Sequence, residues 1–369
     1  MKTSRLLCLL LITLACEEQK EPTFNVPADD IIQFGKIKEL GEEAAKLWPG
    51  YDFYRTRPAY IILTDGNGNS ARGYVLNPPS PPAGSIKLSE EASHGLDLYS
   101  NNDLLASAQA YLGSTLAFLP STMKVDGVTY FLIKDTKSKG ALPFYYDFMD
   151  QFDNWLPILT VHEMFHVYQF DQWTFPSDTE QDFNNYPINE DIIALELALF
   201  DLMKTVPDVQ TPEERKVYLS KFVVLLEELF RVDPTTNNLI QRMVPLELFL
   251  EGTARYMEHY ACLSTIFPTV DQDVTHGWDE YLATISSDQL IKHIFSIRVW
   301  YHVGSGVLRL LEQSDVNFVN GIENGETPYS IAATHVGLTA EEKTDILADI
   351  QSTPEWAAQV ERAKMLAAL

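Results

Sequence analysis

Hydrophobic positions change their spacing partway along this chain. In the first part, short runs bounded by turn sequences are typical of β-strands. Runs at 58–64 and 71–76 flank the turn sequence at 65–69 and predict a β-hairpin, and residues 128–134 predict a further strand. A first helix is predicted over 37–47.

From residue 155 onward the apolar residues recur with the 3.6-residue period of helices. Helices are predicted at 155–173, 190–204, 212–231, 245–262, 278–313 with a break, and 340–367. Because strands come first and helices later, the pattern predicts the α+β class. We expect a small sheet-bearing lobe at 36–150 and a mostly helical lobe at 151–369.

Composition narrows the class of protein. The chain has 369 residues with 46% hydrophobic and 11% aromatic content, which fits a packed globular protein. No run after the N-terminus is apolar for long enough to cross a membrane. The formal net charge of −25 argues against nucleic acid and anionic lipid as partners.

The N-terminus has the composition of a targeting signal. Lys2 and Arg5 precede an apolar run at 6–14, so residues 1–15 are predicted to be a signal peptide. Residues 16–35 are then expected to form a polar tether.

Cys16 follows Ala15 and precedes two acidic residues, an arrangement that resembles a bacterial lipoprotein cleavage site. The resemblance implies a lipid anchor on Cys16 and a place in the cell envelope, at the outer membrane or cell surface. Thr13 stands where such sites usually carry Leu, so ordinary signal-peptide cleavage stays open. Without the signal, Cys16 and Cys262 are the remaining cysteines, and no disulfide framework is expected.

One pentapeptide indicates a chemistry. His162-Glu163-Met164-Phe165-His166 places two imidazoles one helical turn apart on one face, where both can reach a single Zn²⁺. Glu163 then lies beside the metal and can take a proton from a water molecule that the metal activates.

A catalytic zinc needs a third protein ligand. Metzincins are excluded because Gln169 and Gln172 stand where that group requires Gly and His. Downstream, the sequence Glu251-Gly252-Thr253-Ala254-Arg255-Tyr256-Met257-Glu258 resembles the second zinc motif of gluzincin peptidases, the aminopeptidase N-like and thermolysin-like group. This resemblance implies Glu251 as third ligand, Glu258 as the carboxylate that orients a ligating histidine, and small residues at 252 and 254 that let this helix pack close to the metal helix.

Other ligands stay open. Glu190 follows Asn189 and looks like the Asn-Glu of thermolysin-type enzymes, and Glu196 and Glu247 are further acids downstream of the pentapeptide. The gap of 84 residues between His166 and Glu251 is longer than is usual in gluzincins, and a helical insertion would explain it. Alternatively, residues 245–262 are an ordinary amphipathic helix in which Arg255 pairs with Glu251.

A third resemblance concerns Tyr301-His302-Val303-Gly304, which looks like the Tyr-x-x-Gly segment of the same gluzincins. It implies that the Tyr301 hydroxyl donates to the oxyanion of the reaction, with His302 as a second candidate donor. The remaining histidines have no partner motif and are expected to be surface or core residues: His94, His259, His276, His293 and His335.

Together these features predict a zincin-like catalytic domain in an exported zinc metallohydrolase, most simply a peptidase acting on peptide or protein substrates. Residues 140–144 are the expected substrate-facing edge. Two other functions stay open: a surface binding or nutrient-capture lipoprotein on the same scaffold, and a zinc hydrolase acting on another bond. Substrate preference and oligomeric state do not follow from the sequence.

Overall fold

The computed structural model describes residues 25–65, 69–112, 121–134, 155–265, 282–283 and 285–369. The expected signal peptide, Cys16, His276 and the proposed edge at 140–144 lie outside the described residues. Among the helices that are described, none combines the length and the apolar character needed to cross a membrane.

A six-stranded sheet occupies the first part of the chain. Its strands are β1 (Ala59–Thr64), β2 (Ser70–Leu76), β3 (Ile86–Lys87), β4 (Leu98–Ser100), β5 (Thr122–Val125) and β6 (Val128–Lys134). The spatial order is β3-β4-β2-β1-β6-β5, with β1 and β6 parallel and the other pairs antiparallel. The predicted hairpin and the strand at 128–134 are confirmed.

Helices make up most of the rest. They are α1 (Ala28–Leu47), α2 (Phe53–Thr56), α3 (Glu90–Ser93), α4 (Leu105–Leu112), α5 (Trp155–Gln172), α6 (Glu190–Lys204), α7 (Pro212–Arg231), α8 (Leu239–Glu247), α9 (Thr253–Thr265), α10 (Asp288–His293), α11 (Val299–Gln313), α12 (Val319–Glu323), α13 (Pro328–Val336), α14 (Ala340–Gln351) and α15 (Pro354–Ala367). Two π-helical turns interrupt them: Leu248–Gly252 joins α8 to α9, and Ile294–Arg298 joins α10 to α11. The class is mixed α+β, as predicted.

Capping residues explain where several helices begin. The Asn189 side chain accepts a hydrogen bond from the Ile192 backbone N–H and starts α6, and Thr211 forms a capping box with Glu214 at the start of α7. Both helices match the ranges predicted for them. The prediction for the first helix was wrong at its start, because α1 begins at Ala28 and includes residues assigned to the tether.

The two faces of the sheet belong to different parts of the core. Ile61 and Leu63 point into the main hydrophobic core, where α1 and α5 also lie. Tyr60 and Ile62 point to the other face, which α4 covers. Helix α5 also packs against α2, α9 and β6. It therefore runs through the middle of the structure and is held from several sides.

Candidate metal site

Helix α5 carries the pentapeptide in a fixed position. Every side chain from residue 156 to residue 169 is buried. The Phe165 ring packs edge-on against Trp48, with the ring centroids 5.3 Å apart, and the Tyr51 hydroxyl donates to the Val161 carbonyl at 3.1 Å. These contacts set the rotation of the helix about its axis. They hold His162 and His166 toward α9 rather than toward α1.

Three side chains meet at one point between α5 and the first π-turn. The Nε2 atoms of His162 and His166 lie 3.0 Å apart. Oε2 of Glu251 lies 3.7 Å from Nε2 of His162 and 3.3 Å from Nε2 of His166. Ligand atoms at about 2.0–2.2 Å from a tetrahedral zinc are separated by about 3.3–3.6 Å. The three observed separations, 3.0, 3.3 and 3.7 Å, bracket this range.

Oxygen atoms lie beside the opposite ring nitrogen of each histidine, which favours one tautomer. Nδ1 of His162 lies 2.8 Å from Oε2 of Glu258, and Nδ1 of His166 lies 2.6 Å from Oε1 of Gln169. The Gln169 amide nitrogen donates to the Leu250 carbonyl at 2.9 Å, so its oxygen is the end that faces His166. We therefore assign the protons to both Nδ1 atoms, which leaves both Nε2 lone pairs directed at the cluster.

This arrangement fits a bound divalent cation. Two imidazole lone pairs and a carboxylate oxygen converge in a largely buried site, and they repel one another unless positive charge lies between them. The two-nitrogen, one-oxygen donor set suits Zn²⁺ and leaves a coordination position free. His162, His166 and Glu251 therefore form a group that could hold a metal ion. The identity of the metal is not fixed by this geometry.

Charge interactions within the cluster also fit a bound cation. Burial would lower the pKa of His166, but the adjacent Glu251 carboxylate raises it overall. Burial would raise the pKa of Glu251, but His166 and His162 hold it well below its usual range. The low pKa of Glu251 keeps its carboxylate ionised beside the two imidazoles. A metal ion bound there would supply the positive charge that this carboxylate favours.

Glu163 lies beside the cluster with 4% of its surface exposed. Burial raises the pKa of its carboxyl to about 7, against the opposing effect of the two histidines. Oε2 of Glu163 has no hydrogen-bond partner within the described part of the chain. A buried carboxyl with one free oxygen and a pKa near neutrality is suited to accept and return a proton.

Glu258 joins the cluster to a buried cation. The Arg255 guanidinium donates to Oε1 of Glu258, while Oε2 of the same carboxylate faces His162. Both side chains are almost completely buried. The structure therefore pairs Arg255 with Glu258. The arginine balances the charge of the carboxylate behind His162 and leaves Glu251 for the cluster.

Tyr301 lies next to the cluster on α11. Its ring is parallel to the His162 ring, with centroids 6.1 Å apart, and it is partly exposed. His302 is directed elsewhere, with its ring edge-on to Phe200 of α6 at 5.4 Å. Of the two candidate oxyanion donors, the structure brings Tyr301 beside the cluster.

Two glycines allow α11 to approach the first π-turn. A Cβ atom at Gly252 would lie 2.7 Å from the Cα atom of Gly304, and one at Gly304 would lie 2.6 Å from that of Gly252. The backbones therefore touch at this crossing. The expectation that Gly252 serves contact with the metal helix was wrong, because its close neighbour is α11, the helix that carries Tyr301.

The rival ligands lie outside the cluster. Glu190 is exposed at the first turn of α6, directly after the capping Asn189. Glu196 is fully buried and accepts a hydrogen bond from the Tyr186 hydroxyl. Burial, and to a smaller extent the nearby Glu251 carboxylate, raises the pKa of Glu247 to about 8. Its Oε1 atom accepts a hydrogen bond from the Gln181 amide at 2.7 Å. Of the four acids, the structure brings only Glu251 into the group.

The other described histidines are not part of this group. His94, His293 and His335 are exposed, and His259 is buried with its ring edge-on to Tyr260. The sequence prediction did not include Gln169 in the site and used it only to exclude metzincins. Its position could have indicated a role, because it lies three residues past His166 on the same face of a helix that is buried all round.

No family model matches the chain, and no curated protein and no solved structure matches it either. The residues of the site are therefore the basis for assigning a function.

Proposed function

We propose that this chain is a zinc-dependent peptidase of gluzincin type on a zincin-like fold. The observation that carries the proposal is the convergence of the Nε2 atoms of His162 and His166 with Oε2 of Glu251, at separations of 3.0, 3.3 and 3.7 Å. Nδ1 of His166 is hydrogen-bonded to Gln169, and Nδ1 of His162 lies 2.8 Å from Oε2 of Glu258, so the Nε2 atoms of both rings face the Glu251 carboxylate. The buried Glu163 beside them supplies a reason for the site to be catalytic rather than structural.

In the proposed reaction, zinc would supply Lewis acidity, which activates a water molecule and polarises the scissile carbonyl. The Glu163 carboxylate accepts the proton of that water as its oxygen attacks the carbonyl carbon. Glu163 then returns the proton to the amine nitrogen as the carbon–nitrogen bond breaks. The Tyr301 hydroxyl donates a hydrogen bond to the oxygen on which negative charge develops.

Substitution of Glu163 tests this assignment. Glu163→Gln keeps the shape and burial of the side chain but removes the base, so we expect peptide hydrolysis to fall by at least about 10²-fold while zinc content stays unchanged. Glu190→Gln is the matched control, because it makes the same chemical change at the exposed rival position. Wild-type rates in the purified Glu163→Gln variant, or an equal loss in both variants, would refute the base assignment.

We also propose that the protein is exported and attached to a bacterial membrane by lipid on Cys16. The support is the sequence of the first sixteen residues, with its basic start, apolar run and terminal cysteine. Incorporation of labelled palmitate into the wild-type chain, and its absence from a Cys16→Ser variant, is the expected result. Equal labelling of the two chains would exclude an anchor at this position.

A further inference from the structure

Glu251 lies in a π-helical turn. The turn Leu248–Gly252 is π-helical and lies between the α-helical segments α8 and α9. A π-turn accommodates one more residue than an α-helical turn, and one residue corresponds to about 100° of rotation about the helix axis. The turn therefore decides whether the Glu251 carboxylate points at the two histidines or away from them.

Two buried polar side chains stabilise this turn. The Thr253 hydroxyl donates to the Phe249 carbonyl at 2.7 Å and lies 3.1 Å from the Leu250 carbonyl oxygen. The Gln169 amide nitrogen donates to the same Leu250 carbonyl at 2.9 Å and to Oγ1 of Thr253 at 2.6 Å. Neither side chain is exposed to solvent. Their hydrogen bonds bind two consecutive carbonyl groups inside the π-helical turn.

The same glutamine also holds a proposed ligand. Its Oε1 atom accepts from Nδ1 of His166 at 2.6 Å. One amide group thus orients the imidazole of His166 with its oxygen and fixes the turn that carries Glu251 with its nitrogen. Because the amide is planar and rigid, the two ligands are coupled through it.

We propose that Gln169 and Thr253 form a latch that keeps the Leu248–Gly252 turn π-helical and so directs Glu251 at the metal. Both are positioning residues: neither belongs to the metal-binding group, and Thr253 acts through Glu251. The inference rests on the proposed metal site. The new element is that zinc affinity depends on the hydroxyl of Thr253, which bonds to Phe249, Leu250 and Gln169 and not to a proposed ligand.

Paired threonine substitutions test the latch in the full chain. Thr253→Val removes the hydroxyl with little change in shape, and we expect the Kd for zinc, measured by competition with a chelator, to rise by about 10-fold. Thr160→Val is the matched control, because Thr160 is equally buried and donates to the Leu156 carbonyl four residues earlier on α5, at 2.7 Å. It should change the zinc Kd by less than about twofold. Equal zinc affinities of the two variants would overturn the latch.

A double-mutant cycle separates positioning from general damage. In a Glu251→Ala background, Thr253→Val should cause no further loss of zinc affinity, because the residue through which it acts is gone. Additive losses would show that Thr253 contributes only to the fold, and would overturn the proposal. The visible spectrum of the Co²⁺-loaded Thr253→Val protein should move toward that of the Glu251→Ala protein, whereas that of Thr160→Val should stay like wild type.

Failure of the metal site itself would look different. If the wild-type chain bound neither Zn²⁺ nor Co²⁺, the proposed function would fall and the latch with it. If the wild type bound zinc and lost it on removal of His162 but not on removal of the Thr253 hydroxyl, only the latch would be wrong.

Discussion

Nδ1 of His162 lies 2.8 Å from Oε2 of Glu258, and the other oxygen of that carboxylate accepts a bond from Arg255. A carboxylate behind a ligating imidazole makes the ring a better donor to a metal, and the buried Arg255 guanidinium pairs with that carboxylate. The three groups form a line that ends at the proposed metal. The chemistry of the site therefore extends beyond the atoms that would touch the ion.

Glu258→Gln is expected to weaken zinc binding by about 10- to 100-fold, because the amide cannot supply the negative charge behind His162. Competition titration with a chelator measures this. Glu228→Gln is the control, since Glu228 also pairs with an arginine three residues on, Arg231, but at the exposed end of α7. Equal zinc affinities of the wild type and the Glu258→Gln variant would contradict this account of the carboxylate.

Tyr301→Phe tests the oxyanion donor. The phenyl ring keeps the parallel arrangement beside His162, so zinc content and KM should stay close to wild type. Loss of the hydroxyl should lower kcat by about 10²- to 10³-fold, the usual effect of removing one such donor. A variant with normal kcat would remove Tyr301 from the mechanism.

The local part of this site could be predicted from the sequence, and the reason is geometric. Residues four apart on a helix share a face whatever the tertiary structure, so His162 and His166 were certain to be neighbours once the helix was predicted. The long helices at 190–204 and 212–231 were predicted because they have strong periodicity and clear caps. They lie in the long gap between His166 and Glu251, as a helical insertion requires.

The features of the site that the sequence did not predict depend on irregular backbone and on contacts between residues far apart in the chain. The alternative that pairs Arg255 with Glu251 assumes a regular α-helix, whereas the structure has a π-turn at Leu248–Gly252 and pairs Arg255 with Glu258. No local sequence pattern predicts a π-turn. Likewise, the contact of Gly252 with Gly304 joins positions far apart in sequence, and only the packed structure shows it.

The two glycines on α11 give a prediction about stability. Gly304→Ala places a methyl group against the backbone of Gly252, which cannot move aside, so we expect a loss of about 1–3 kcal/mol in the free energy of unfolding. Gly306→Ala lies two residues on, where the new atom meets the flexible side chain of Met203. Chemical denaturation should show the smaller loss for Gly306→Ala. The reverse order would mean that the helix crossing is less close than described.

A buried acid away from the site predicts how stability depends on pH. Burial raises the pKa of Glu196 well above its usual range, so the folded state keeps its proton at pH values where the unfolded chain has lost it. The folded protein is then favoured at low pH and loses stability as pH rises above the unfolded value of about 4.5 toward the folded pKa, by up to about 1.4 kcal/mol per pH unit.

Glu196→Gln removes this titration and keeps an acceptor for the Tyr186 hydroxyl. Between pH 5 and pH 8, chosen as about the range in which an ordinary carboxyl is ionised in the unfolded chain, the variant should gain stability relative to wild type as pH rises. Denaturation curves at several pH values measure the difference. A constant or falling difference would contradict the burial of an ionisable group at this position.

The central claim is that His162, His166 and Glu251 bind one zinc ion, and zinc analysis of the purified chain tests it most directly. We predict about one zinc per chain at neutral pH, an X-ray absorption spectrum with two imidazole nitrogens and at least one oxygen, and loss of the metal when both histidines are replaced by alanine. Less than about half a zinc per chain in zinc-replete buffer, or zinc retained without the two histidines, would contradict the account.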